Sequence, residues 1–103
     1  MDRFPASPEL HNNLATVLLT AGRAPQAIEY FQKAIRLQPN FVAAYTNLAQ
    51  AYAQAHLTDQ AIATAQKALD LARSSRQTEL VRQIQAWLDE YRARISKGAS
   101  GDR

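Results

Sequence analysis

Cysteine is absent from this chain, which excludes disulfides, thiolate catalysis and zinc–thiolate centres. Glycine and proline are scarce, at 3 and 4 in 103 residues, while 47% of the chain is hydrophobic and much of that is alanine. Such a composition belongs to a soluble helical protein, and the length is that of one domain with a modest core. No apolar run is long enough to cross a membrane. The opening Met1-Asp2-Arg3-Phe4-Pro5 lacks the apolar stretch of a signal peptide, and with the missing cysteine this points to a cytoplasmic setting. A nucleophile elbow and a glycine-rich phosphate loop are missing too. Gly98-Ala99-Ser100-Gly101 has no strand before it and no helix after it, so it is not a nucleotide loop. Glu29, Asp59, Asp70, Glu79, Asp89 and Glu90 fall mainly on expected solvent faces, so a non-enzyme is predicted. No second His or Asp stands at metal spacing from His11, and no cofactor or metal is expected.

Charge of one sign is also weak. Residues 1–72 hold 5 basic and 5 acidic side chains, whereas residues 73–103 hold 7 and 4, so the net +3 lies at the C-terminal end. Nucleic-acid binding would need a basic stripe along the body, and none is present.

What is present is a repeat. Laying residues 8–41 over 42–75 gives 11 identities in 34 positions, among them Asn13/Asn47, Leu14/Leu48, Ala15/Ala49, Ala27/Ala61, Ile28/Ile62 and Ala34/Ala68. Most are small or apolar residues at helical spacing, as two helices touching along one seam require.

In chain order, Ser7-Pro8-Glu9 reads as a helix start, with Ser7 as cap. Leu10, Leu14, Val17, Leu18 and Ala21 follow at steps of three and four, and Gly22 ends a helix of about 8–21. Pro25 opens a second helix to about Leu37, with Ala27, Ile28, Phe31, Ala34 and Ile35 on its seam, and Pro39 stops it. Asn40 is the expected cap of a third helix over 41–55, and Thr58 of a fourth over 59–73. Ser74-Ser75 then replaces the proline turn. A longer helix over 76–96 carries Leu80, Ile84, Leu88, Tyr91 and Ile95 on one stripe, with Trp87 beside it and charges opposite. Residues 1–7 are expected to be irregular and 97–103 disordered.

These residues carry a resemblance. The chain resembles the tetratricopeptide repeat, a 34-residue helix–turn–helix unit with scattered Leu, Gly/Ala, aromatic, Ala and Pro positions. The matching residues are Leu14, Ala15, Gly22, Ala27, Phe31, Ala34 and Pro39 in the first unit, then Tyr45, Leu48, Ala49, Tyr52, Ala61 and Ala68 in the second. Pro5 stands 34 residues before Pro39, in phase with the close of a preceding unit. Departures are His11, His56, Ala65 and Arg73, where an aromatic, a glycine, a large aromatic and a proline are usual. The resemblance implies an all-α fold of five helices: antiparallel hairpins stacked as a right-handed superhelical solenoid. Repeat one is 8–41, repeat two 42–75 and the capping helix 76–96.

The family implies a protein or peptide partner on the inner, concave face. Carried onto this chain, that face is Glu9, Asn12, Asn13, Thr16 and Thr20, then Ala43, Thr46, Asn47, Gln50 and Gln54. Amide side chains there could pair with a peptide backbone whatever its sequence. Asn13 and Asn47 would stack as rungs, similar to the asparagine ladder in the repeat arm of the enzyme that puts N-acetylglucosamine on Ser and Thr; the alternative is that they merely solvate the helix or bond between helices. The lysine clamp of the chaperone cochaperones is missing, since Asn12 and Thr16 stand at two of its positions. Trp87 is expected to anchor the capping helix, with a partner hot spot as the other reading. Leu10, Val17, Leu18 and Leu19 form a wide apolar surface on a helix without a predecessor, so self-association as a homo-oligomer competes with peptide binding. A third reading makes the chain the C-terminal piece of a longer repeat arm.

Overall fold

The computed structural model describes the backbone of residues 7–101 and the side chains of residues 7–97. Most of the expected irregular N-terminal segment lies outside those residues. Five helices follow in order: α1 Pro8–Thr20, α2 Ala24–Leu37, α3 Val42–Gln54, α4 Thr58–Ser74 and α5 Thr78–Gly101. Neighbouring helices pack on one another in sequence, and α3 also meets α1, so two hairpins and a fifth helix stack as a helical-repeat solenoid.

Local chemistry explains the boundaries. Ser7 caps α1 by accepting from the Leu10 amide at 3.1 Å, and Pro8 occupies a first-turn position where its missing N–H costs nothing. Gly22 stands at φ 81°, and the amides of Gly22 and Arg23 close back on the carbonyls of Leu19 and Leu18. One repeat later His56 takes φ 64° and the same pair of bonds forms from His56 to Ala53 and from Leu57 to Tyr52. Two expected caps are corrected. Neither Asn40 nor Thr58 caps a helix: the flanking residues are Phe41 and Leu57, without side-chain capping bonds, and Thr58 is already helical. At α4 the paired bonds of the preceding turn already order the chain entering the helix, so a side-chain cap is not required there.

The core forms two clusters. One gathers Ala15, Ala27, Phe31, Leu48 and Ala51 around the α1–α2–α3 junction; the other gathers Val42, Ala49, Ala65, Ala68, Leu69, Ala72, Ile84 and Leu88 around α3, α4 and α5. Alanine dominates both because it lets helix backbones approach closely, and Phe31 supplies the bulk of the first.

The second repeat ends differently from the first. Helix α2 stops at Leu37, ahead of Pro39. With Arg73 in place of that proline, α4 continues to Ser74, three residues beyond the equivalent point. A third paired-bond turn then closes at Arg76, φ 59°, with Arg76 bonding back to Arg73 and Gln77 to Ala72. As a result α5 begins 36 residues after α3, two more than the repeat. Its far end also differs from expectation. The helix runs on to Gly101, where a disordered tail was predicted, because no proline interrupts it and a glycine inside a helix, as at Gly98, weakens it by only about 1 kcal/mol. Residues 102–103 lie outside the described residues.

Candidate functional site: a groove between the third and fifth helices

The two-residue offset decides the shape of this face. Shifting α3 by 36 superposes Leu80 on Ala44, Ile84 on Leu48, Trp87 on Ala51 and Tyr91 on Ala55. Where α3 carries alanines that let it close on its predecessors, α5 carries a leucine, a tryptophan and a tyrosine. The backbones of α1 and α3 approach at a few points, whereas α5 packs mainly on α4 and its backbone approaches that of α3 less. Between α3 and α5 the gap forms a recess of about 180 Å³, lined by Thr46, Ala49, Gln50, Ala65, Leu80, Gln83, Ile84 and Trp87. A shallower hollow of about 310 Å³ adjoins it along Gln50, Ala53, Gln54, Trp87, Tyr91 and Arg94. Gln50 and Trp87 border both, so the two make one continuous groove.

The α5 wall is aromatic. Trp87 stacks on Tyr91 with ring centroids 5.0 Å apart and planes 15° from parallel, and the Arg94 guanidinium lies 5.9 Å from the Tyr91 ring centre. Tyr91 is buried and Trp87 half-buried, and both border the groove. Among the described residues no carboxylate lines either hollow, and Arg94 is the single charged residue that does.

The α3 wall is polar. Thr46, Gln50 and Gln54 line the hollows, while Ala43 is exposed nearer the start of α3. The threonine hydroxyls are already committed: Thr46 donates to the Val42 carbonyl at 3.0 Å, Thr16 to Asn12 at 2.8 Å and Thr20 to Thr16 at 3.0 Å. They keep lone pairs to offer and no donor. Gln54 reaches the Leu19 carbonyl at 3.4 Å. Among the described residues no intramolecular hydrogen bond occupies the side chains of Gln50 or Gln83.

The five α1 residues expected here do not join the groove. Glu9, Asn13, Thr16 and Thr20 are exposed on α1, and Asn12 is buried at 9% exposure. Asn13 and Asn47, the two residues expected as rungs, make no hydrogen bond to each other among the described residues. Instead the Asn47 amide donates to Asn12 Oδ1 at 3.3 Å, an offset of 35 residues rather than 34. Facing helices in adjacent repeats mesh one position out of register, so the identical residues are not the ones that touch. Asn12 therefore joins α1 to α3 through its side chain.

The expected self-association surface is also rearranged. Leu18 and Leu19 are half-buried against the Phe31 cluster, on the side of α1 turned to the core. Leu10, Leu14 and Val17 are the open ones, at 50%, 44% and 65% exposure. One repeat later their equivalents Ala44, Leu48 and Ala51 are buried against repeat one.

His11 is half-buried, its Nδ1 2.9 Å from the Ser7 carbonyl and its ring centre 6.1 Å from that of Tyr30. Among the described residues no group of three or more His, Asp or Glu could hold a metal, and no helix is long and apolar enough to cross a membrane. Sequence reasoning missed Gln83, which sits four residues before Trp87 and so on the same helical face, a spacing that could have flagged it.

Comparison with known proteins gives a consistent result. The family model of the tetratricopeptide repeat matches residues 6–74. Among solved structures, the crystal structure of a tetratricopeptide repeat domain protein from Salinibacter ruber is similar, at 23% identity and a TM-score of 0.76 over 84% of this chain and 97% of that one. A solution structure of a tetratricopeptide repeat domain protein from the same organism aligns at 24% identity and a TM-score of 0.77, over 86% and 90% of the two chains. The crystal structure of MamA aligns at 19% identity and a TM-score of 0.63, over 92% of this chain and 62% of that one. No match was found among curated proteins.

Proposed function

The chain belongs to the tetratricopeptide repeat family, and from that premise we propose that it is a non-catalytic interaction module holding an extended peptide segment of a partner protein on its concave face. Proteins of this fold serve in general as protein-interaction scaffolds. The observation that carries the finer reading is the groove itself, with Thr46, Gln50 and Gln54 along one wall and an aromatic wall opposite. Carboxamides offer donors and acceptors together, which suits the alternating N–H and C=O groups of an extended chain. The experiment is display panning of random peptides on the wild type, with the Gln50→Ala/Gln54→Ala variant as counterscreen. Enrichment lost in the variant supports the reading; enrichment that survives moves the site off this face.

A second reading has its own observation. Leu10, Leu14 and Val17 of α1 are the open counterparts of three residues that the second repeat buries at a repeat junction. A second copy of the chain pairing through α1 would cover them, as would a preceding repeat in a longer array. Val17→Glu should then convert a concentration-dependent dimer into a monomer in light scattering. A wild type that is monomeric at high concentration removes the self-association reading.

A further inference from the structure

Resting on that reading of the groove, we propose that the recess between α3 and α5 takes one large apolar side chain of the partner segment, while Arg94 pairs with a carboxylate three to five residues away along it. Volume is the first ground. At about 180 Å³ the recess is of the size of an engineered apolar cavity of about 150 Å³ that admits benzene, so it suits a single leucine, methionine or phenylalanine side chain. Its floor is apolar, built from Ala49, Ala65, Leu80 and Ile84, with Trp87 closing one side. Such a floor gains from an apolar occupant and would leave a charged one unpaired.

Preorganisation is the second ground. Stacking on Tyr91 already restrains the indole before any partner arrives, so less side-chain entropy remains to be lost on binding. A half-buried, stacked tryptophan bordering both hollows of a groove is the kind of residue on which binding energy concentrates.

Charge is the third. Arg94 ends the groove as its only ionised group, held over Tyr91 and exposed, with no acid lining either hollow to neutralise it. A carboxylate is the group that a guanidinium pairs with in two parallel hydrogen bonds. Geometry sets the spacing. Trp87 and Ile84 precede Arg94 by seven and ten residues, about 10–15 Å along a helix, and an extended segment covers that distance in three to five residues.

The test pans a display library of random decapeptides on the wild type, on Arg94→Glu and on Gln50→Ala/Gln54→Ala, with circular dichroism confirming that each variant folds. Wild type should enrich peptides with a large apolar residue three to five positions from Asp or Glu. Those peptides should bind Arg94→Glu at least about fivefold more weakly, and panning on Arg94→Glu should replace the acid by Lys or Arg. Trp87 is the single tryptophan of the chain, so its emission should shift as a synthetic copy of the enriched peptide is added. Enriched peptides without the acid, unchanged binding by Arg94→Glu, or a silent Trp87 would overturn the proposal. If the glutamine variant alone loses those peptides, the concave-face reading survives it. No enrichment on the wild type removes both.

Discussion

Three residues in left-handed backbone conformations close the three tight turns, and only one of them is a glycine. Nothing lies within 4 Å of where a Cβ on Gly22 would stand, so space is no obstacle and backbone strain alone opposes a side chain there. Gly22→Ala should cost about 1 kcal/mol. Arg76→Gly should instead gain about 0.5–1 kcal/mol, the relieved strain outweighing the extra freedom glycine has when unfolded. His56→Gly should gain less, since histidine tolerates this conformation better than most residues. Urea midpoints at unchanged slope would read all three; a lowered midpoint for Arg76→Gly would refute the strain argument. The Asn12–Asn47 pair is the other residue-scale device. Asn47→Ala leaves the Asn12 side-chain oxygen without its donor, at a cost of about 1–2 kcal/mol. In a double-mutant cycle with Asn12→Ala the two losses should fall short of additivity by at least about 0.5 kcal/mol. Strict additivity would mean that the bond contributes nothing.

At the scale of elements, α5 both stabilises the array and shapes its groove. Its buried Ile84 and Leu88 complete the cluster over Ala65, Ala68, Leu69 and Ala72, which would otherwise face water. Leu88→Ala should cost about 2–5 kcal/mol and lower the melting temperature by at least about 10 °C. A shift of only a few degrees would show that α5 contributes little to the fold. The outer face of α5 contributes far less. Arg82 and Glu79 approach to 3.8 Å with both side chains largely exposed, so Arg82→Ala should leave the midpoint within about 0.5 kcal/mol. Turn chemistry links this helix to function. A paired-bond turn at Arg76, standing where the first repeat has its Pro39 turn, offsets α5 by two residues and sets bulky side chains opposite α3.

For the whole molecule, a stack of helices touching mainly their neighbours in sequence has protection that falls toward its ends. Hydrogen exchange should find the slowest amides in α3 and α4, which take part in the larger cluster, and faster ones in α1 and the distal turns of α5. Uniform protection across all five helices would contradict that. The sequence by itself determined the helices, their order and the two-unit repeat. Those follow from local signals: Ser7, Gly22, Pro25 and Pro39 as punctuation, and apolar spacing between them. It also marked Thr46, Gln50 and Gln54, which reach the groove because position on a helix face is a local property. Tertiary structure alone decided which residues meet across helices. A period of 34 equates Asn13 with Asn47, yet meshing helices pair Asn47 with Asn12. The α1 residues named with them stayed out of the groove, and Leu18 and Leu19 turned to the core while Leu14 turned outward. The groove itself was invisible in the residue list. It arises from how far two helices stand apart, and that distance is set by side-chain bulk at facing positions and by one turn's geometry, neither of which has a value until the chain has folded.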